Sequence, residues 1–446
     1  MGVFKAYDIR GIYNKDFHRE DAYKIGFHLA QMMKTDLILI GRDARVSSDE
    51  IFEYLARGIN DAGVNVDDAG WCTTPYVYWM TAAKNYDCSV QITASHNPKE
   101  YNGLKVSKKY ALPIGYDSGL NLIEQKMNEP IVPVAKRGCI RKVDFKQDYI
   151  AFLLQYKSDF SNLNISIDCS NGMVPIFIKA ILGDQPAYIH DKIDCTFPNH
   201  EPNPLNPESI KDICDLVKKE RSDIGIIFDG DADRVVFIDE KGNFIPPDLI
   251  IAVLAHYWLE ERKCKGMVIQ DIRTSKSVQE YIEKFGSQMY AWRVGRAYAA
   301  EKLREIDGIY GGELAGHYYA REFFYSDSAL MTMSIVLGII QKFKDKGVPI
   351  SQLIKKIKKY ENSGEINFKL DRKEEAMNAV VEYFAKEEKP IKIMDFDGYR
   401  MEFKNWWFNI RLSNTEPYLR FIAEATTKLL LEKKVAETEK IINSFK

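Results

Sequence analysis

Short apolar runs alternate with amphipathic stretches from the N-terminus to about residue 350. Continuous apolar runs bounded by turn residues predict strands, and stretches with apolar positions at helical spacing predict helices. Each run breaks off at a polar loop. Leu37–Ile40 ends at Gly41-Arg42-Asp43-Ala44-Arg45, and Val90–Ala94 ends at Ser95-His96-Asn97-Pro98. Ile165–Asp168 ends at Cys169-Ser170-Asn171-Gly172, and Ile224–Phe228 at Asp229-Gly230-Asp231-Ala232-Asp233-Arg234. Met267–Gln270 ends at Asp271-Ile272-Arg273-Thr274-Ser275, and Ile309–Tyr310 at Gly311-Gly312-Glu313-Leu314-Ala315-Gly316-His317. Ser47 and Glu50 stand at capping-box spacing where one helix opens. This rhythm predicts α/β domains with helix-covered sheets and places function on loops at the carboxyl ends of strands.

The pattern changes near the end. After the basic stretch Lys355–Lys359, around Ser363-Gly364, it reads strand, helix (Glu374–Glu387), strand, strand and terminal helix, an α+β segment. The Pro- and Gly-containing segment Asn128–Arg141 precedes an expected linker near 145–155, and Pro246-Pro247 suggests another boundary. The expected domains are 1–150, 151–247, 248–362 and 363–446. No sequence repeat is evident. Leu249–Leu259 and Ala329–Ile340 are too short to span a bilayer and read as buried helices.

Composition removes several function classes. The chain has 446 residues, is 46% hydrophobic and 28% charged, and carries a net charge of −2, which argues against a strongly basic nucleic-acid binder. The seven cysteines are scattered without a C-x-x-C and read as reduced core thiols. The N-terminus has no apolar signal region, so a cytoplasmic protein without a membrane partner is expected.

Five loops carry candidate chemistry. Ser95 is an oxygen nucleophile at a loop tip beside His96 and Asn97, and Lys105 follows in an extended Leu104–Ser107 segment; the alternative is a plain polar turn. Asp229, Asp231 and Asp233 concentrate hard oxygen ligands that suit Mg²⁺. An EF-hand would need Gly where Arg234 stands, and helices where the flanks read as strands. In the glycine-rich loop, Glu313 can accept two hydroxyl hydrogen bonds and His317 can move a proton near neutral pH, although a capped turn would also fit. Arg411, Ser413, Asn414 and Thr415 form a phosphate cradle or an ordinary turn before Pro417. Tyr7 and Arg10 make the fifth site, where Arg10 holds a phosphate or pairs with a nearby acid.

In this order and spacing, the loops resemble the α-D-phosphohexomutase superfamily, and most of all its phosphomannomutase/phosphoglucomutase branch, over the whole chain. The resemblance implies three similar mixed-sheet α/β domains and a smaller C-terminal α+β domain around a central cleft. It implies that Ser95 carries a phosphoryl group and that Asp229, Asp231 and Asp233 hold Mg²⁺ together with a phosphoserine oxygen. Arg234 and Arg10 look like phosphate partners, Lys105 and His317 like proton-transfer residues, and Glu313 like the reader of sugar hydroxyls. Arg411, Ser413, Asn414 and Thr415 look like the cradle for the non-reacting phosphate; Tyr7 and His96 join the expected substrate contacts. Ala315 replaces a usual serine, Leu412 a usual proline, and Arg273 and Arg296 stand where some members carry Lys and His. The implied reaction converts hexose 1-phosphate to hexose 6-phosphate through a hexose 1,6-bisphosphate, in a monomer or homodimer. Leu314 and Tyr101 depart from the phosphoglucosamine pattern, which is the alternative substrate class alongside a non-catalytic sugar-phosphate binder. A two-metal phosphatase would want a His-rich site, and the seven histidines of this sequence, without close pairing, are not expected to supply it.

Overall fold

The computed structural model describes residues 2–413 and 418–445, and its strands form four sheets. In the first, Leu37–Arg42 lies between Asn65–Trp71 and Cys88–Ile92, parallel to both. Tyr101–Lys108 returns antiparallel to Cys88–Ile92, and Ile9–Ile12 completes that side. The second sheet repeats the plan: Ile165–Asp168 lies between Ala187–Ile189 and Ile224–Phe228, parallel to both, and Val235–Asp239 returns antiparallel. The third repeats it again with Val268–Asp271, Met289–Trp292, Tyr310–Gly312 and Tyr318–Ala320. Helices supply the parallel crossovers, as such connections require. The repeat that the sequence hides is therefore one of topology. Each copy sends a polar loop from its third strand to its antiparallel fourth: residues 93–100, 229–234 and 313–317.

The strands Ile165–Asp168 and Ile224–Phe228 form with the bounds their apolar runs predict, because every residue of both is buried and the run has no exposed face to break it. Other expectations differ. Ser47 does not cap its helix, since its hydroxyl accepts from Asn102 Nδ2 at 2.8 Å, while Glu50 accepts from the Tyr13 hydroxyl at 2.9 Å. The expected linker near 145–155 is largely the helix Lys146–Leu154, which buries Tyr149 and Leu153. Four strands, not two, separate the two helices of the last domain, Lys373–Glu387 and Lys428–Asn443. Of the cysteines, Cys139 is exposed rather than a core thiol, because it precedes the solvent-facing edge strand Ile140–Lys142.

One apolar core runs through the first three domains. Tyr76 of the first packs its ring 5.3 Å from Tyr149 and from Phe177 of the second, and Phe152 lies 5.8 Å from Phe323 of the third. The fourth domain has a core of its own, around Phe384, Trp406, Phe408 and Phe421. It meets the third through polar contacts and a Trp292–Phe396 stack at 5.4 Å. Among the described residues, no helix is long and apolar enough to cross a membrane.

Candidate active site

The serine loop is built against its own backbone. Ser95 has φ +51°, a left-handed conformation disfavoured for a residue with Cβ. Thr93 Oγ1 accepts its N–H at 2.9 Å. Arg45, whose side chain is fully buried, donates to the carbonyls of Ser95, Asn97, Pro98 and Tyr101 at 2.7–3.0 Å. Asp43 neutralises that guanidinium at 3.1 Å. Arg45 is a residue that the sequence reading passed over; its only local signal is the strand-end Asp-x-Arg.

Ser95 Oγ donates to Asp229 Oδ2 at 2.6 Å, so the first and second polar loops meet at the serine. The close approach depends on Gly230, where a Cβ would stand 2.6 Å from the Ser95 carbonyl. All three aspartates are buried. Lys105 Nζ reaches Asp231 Oδ2 at 2.7 Å and Asp233 Oδ2 at 2.5 Å, and Thr74 donates to Asp231. Asp231 Oδ1 and Asp233 Oδ1 are buried without a protein hydrogen-bond partner. Burial, then Asp233 and Asp231, push the Asp229 carboxyl well above the ordinary carboxylate range. Hard oxygens with orphaned lone pairs, and three carboxylates only partly offset by Lys105 and Arg234, fit a divalent cation, so the trio is a suitable metal site.

The third loop joins through His317. Its Nδ1 lies 2.6 Å from Asp327 Oδ2, and its Nε2 lies 3.0 Å from Arg234 Nε. Because arginine only donates, Nε2 offers its lone pair and Nδ1 carries the proton that Asp327 accepts. Burial raises the Asp327 carboxyl, but Arg296 and His317 outweigh it and hold it below the usual range. Asp327 had no signal in the sequence: it lies in the two-residue strand Ser326–Asp327 and reaches His317 only across the sheet. Glu313 is buried and accepts from the Tyr319 hydroxyl at 2.6 Å, while burial raises its pKa. Ala315 sits in the tight turn closed by Gly316 N–H to the Glu313 carbonyl at 3.0 Å.

The remaining candidates spread outward. Arg10 donates to Asn97 Oδ1 at 2.7 Å and pairs with Asp8. His96 is half-buried, and burial, then Arg234 and Arg10, lower its pKa well below the usual histidine range. Arg296 binds Asp327 at 2.9 Å and lies over the Tyr78 ring at 3.6 Å. Arg273 is held by Asp271 and by Glu365, and Glu365 also binds Arg420 at 3.0 Å. Arg411 is buried and stands 3.9 Å from Asp397, whose other oxygen accepts the Val294 N–H at 2.7 Å. Tyr7 donates to the Val294 carbonyl at 2.8 Å, away from the serine–aspartate cluster. Ser413 N–H reaches the Tyr418 carbonyl at 2.9 Å, and Asn414 and Thr415 lie outside the described residues. The expectation of unpaired histidines is corrected: His190 and His200 have ring centroids 5.1 Å apart, brought together by a loop that returns to the end of the second sheet.

Comparison with known proteins adds an independent line. Four family descriptions match in chain order: "Phosphoglucomutase/phosphomannomutase, alpha/beta/alpha domain I" over residues 1–131, the corresponding domain II over 147–242, domain III over 246–360, and the C-terminal domain over 365–441. A phosphomannomutase of Methanocaldococcus jannaschii is 37% identical over 99% of this chain and 97% of its own. A phosphomannomutase of Escherichia coli K12 is 35% identical over 95% of both chains. A phosphoglucomutase/phosphomannomutase family protein of Burkholderia thailandensis superposes with a TM-score of 0.88 at 25% identity, covering 99% of this chain and 97% of that one.

Proposed function

Because this chain belongs to the phosphoglucomutase/phosphomannomutase family and is a phosphohexomutase, we propose that it exchanges phosphate between the 1- and 6-positions of mannose and glucose through a phosphorylated Ser95. The phosphoryl group leaves Ser95 Oγ for the free hydroxyl of a hexose monophosphate, giving a 1,6-bisphosphate. The bisphosphate reorients, and its other phosphate returns to Ser95. Asp229, Asp231 and Asp233 hold Mg²⁺, which when bound neutralises charge on the transferring group. Arg234 and Arg10, on either side of the serine loop, provide positive charge to phosphate oxygens.

We assign proton transfer to His317, since its Nε2 lone pair is held by Arg234, which stands 3.9 Å from Asp229, and Asp327 fixes the tautomer. Burial lowers the Lys105 pKa, but Asp231 and Asp233 outweigh it and raise the group, so Lys105 serves as a cation rather than a base. Glu313 reads sugar hydroxyls. Arg411, Ser413, Asn414 and Thr415 take the non-reacting phosphate, with Arg273, Arg296, Tyr7, His96 and Ala315 around the sugar path.

The observation that carries this reading is the 2.6 Å hydrogen bond from a strained, loop-tip serine to the first of three buried aspartates. The test is intact mass and peptide mapping after incubation with glucose 1,6-bisphosphate. One phosphate on Ser95, absent from Ser95→Ala, is expected; a phosphate elsewhere, or none, overturns the assignment.

A further inference from the structure

Three side chains outside the proposed reaction meet at the carboxyl end of Ile165–Asp168. Asp168 Oδ1 lies 3.0 Å from His190 Nδ1, and Asp168 Oδ2 lies 3.0 Å from His200 Nε2. The Asp168 side chain is fully buried, whereas those of His190 and His200 are 14% and 8% exposed, leaving a path from solvent. One ligand atom from each residue falls within 4.8 Å of the others.

The topological repeat shows what is unusual here. Asp43, Asp168 and Asp271 occupy the same place, at the carboxyl end of the strand that lies between two parallel neighbours in each of the first three sheets. Each accepts the backbone N–H two residues on, from Arg45, Ser170 and Arg273, at 3.1, 2.8 and 2.7 Å. In the first and third domains that residue is an arginine, and its guanidinium returns to neutralise the buried carboxylate. In the second it is Ser170, whose hydroxyl donates to the Phe228 carbonyl instead. A buried carboxylate deprived of its arginine needs another cation.

The histidines can meet that need in two ways. His200 Nδ1 lies 2.8 Å from the Glu201 carbonyl, so it carries a proton, and His190 Nε2 lies 3.4 Å from Asp212. Their other nitrogens both face Asp168. They do so either by donating hydrogen bonds to the carboxylate or by presenting lone pairs to one ion shared with it. A divalent ion there would supply the positive charge that the missing arginine does not. The Glu201 carbonyl and the Asp212 carboxylate stand where the outer partners of metal-bound histidines usually stand. The donor set of two imidazoles and a carboxylate, with water completing it, suits zinc-class ions rather than Mg²⁺.

We propose that Asp168, His190 and His200 form a second metal site, for a divalent transition-metal ion of the zinc class, distinct from the aspartate trio. The site pins the loop from His190 to Pro202. Within that loop, Phe197 lies under the Arg45 guanidinium at 5.0 Å. Phe197 and Pro202 also pack against Gly230, each 3.4 Å from where a Cβ would stand. Its occupancy therefore stiffens the wall behind the serine and the trio.

The test uses cobalt(II) on the full chain, stripped with chelator and then saturated with Mg²⁺. One equivalent of Co²⁺ producing the intense visible bands of a low-coordinate nitrogen-containing site, discharged by one equivalent of Zn²⁺, is expected. His190→Gln and His200→Gln should each abolish those bands in a protein whose circular dichroism is unchanged. Should both variants fail to fold, X-ray absorption of the zinc-loaded wild type decides: two imidazoles per zinc support the site, and an oxygen-only shell overturns it. Absence of the bands in the wild type, or their persistence in a folded His190→Gln protein, also overturns it.

Discussion

Ser95 has a backbone that costs on the order of 1–3 kcal/mol, as a non-glycine residue in the left-handed region. Thr93 and Arg45 hold it there by bonding atoms that an ordinary turn would leave to water. We expect Ser95→Ala to fold normally and to lose measurable mutase turnover; retention of near-wild-type kcat would refute the phosphoserine role. Arg45→Lys tests the scaffold separately. A single ammonium cannot reproduce a planar fork reaching four carbonyls, so kcat should fall by about 10²-fold through misplacement of the serine, with KM little changed. The reverse split, a KM effect at constant kcat, would make Arg45 a binding residue instead. At the trio, activity should vanish in excess chelator and return with Mg²⁺, and Asp231→Asn should raise the Mg²⁺ concentration needed; full activity in chelator would detach the trio from the chemistry. Ser95 and the aspartates were singled out as candidates because Ser95 ends an apolar run and the three carboxylates lie at alternate positions of one short loop. Arg45 and Asp327 were not, because each acts on a residue reached only by folding: Arg45 on a loop fifty residues away and Asp327 on His317 across a strand pair.

The strands that could be read from the sequence are those buried on both faces, such as Ile224–Phe228, whose composition alone makes them apolar. The elements that were missed depend on tertiary partners. Lys146–Leu154 earns its place by packing Tyr149 against both Tyr76 and Phe177, and nothing local to it announces that. The seam between the third and fourth domains is also tertiary. Arg400 donates to the carbonyls of Ile272 and Thr274 at 2.9 and 2.7 Å, clasping the turn that bears Arg273. Nearby Asp248 accepts the Ser275 N–H at 2.9 Å. Burial, with Glu424 of the fourth domain as the next cause, raises its pKa to about 7. A carboxyl raised above its unfolded value protonates more readily in the folded state. It therefore destabilises the fold progressively as pH rises from about 4 to 7, and the full penalty remains above that. An amide keeps an acceptor for Ser275 and carries no charge. Asp248→Asn is thus expected to stabilise the protein at pH 8 by on the order of 1–3 kcal/mol and not at pH 4, read as melting temperature against pH. An equal or larger loss of stability at pH 8 would mean that the charge is compensated in the fold.

At the scale of the molecule, three copies of one topology converge their third-to-fourth strand loops, so that the proposed nucleophile, metal ligands and sugar reader each come from a different copy. The sequence disclosed the loops but not the repeat, because the copies share strand order and buried positions rather than residue identities. The fourth domain has a separate core and meets the third through a largely polar seam, whereas one apolar cluster links the first three. That division bears on substrate choice. A mutase must accept its bisphosphate in two orientations, so the fixed part of the site cannot be a tight mould for one face of the sugar. Mannose and glucose differ only at the C2 hydroxyl. In the loop that faces the sugar path, Glu313 already gives one oxygen to Tyr319, Leu314 uses its N–H on Asp271, and Ala315 brings no hydroxyl. Of the nearby arginines, Arg273 is committed to Asp271 and Glu365, whereas Arg296 gives Nε to Asp327 and keeps Nη2 buried without a hydrogen-bond partner. Among the described residues of that loop, the second Glu313 oxygen is the side-chain acceptor left for sugar hydroxyls, and the 3- and 4-hydroxyls that both sugars share can take it, which leaves Arg296 Nη2 as the donor that could read C2. A site without such a partner discriminates by roughly 10–200-fold, whereas a built-in hydrogen-bond partner gives about 10⁴ or more. We expect Arg296 to stay on Asp327, so mannose 1-phosphate and glucose 1-phosphate should differ in kcat/KM by less than about 200-fold under one assay, with glucosamine 1-phosphate the poorer substrate. A ratio above about 10⁴ between the neutral sugars would show that Arg296 Nη2 reads C2. A preference for the amino sugar would instead move the chain to the other substrate class, while leaving the serine chemistry intact.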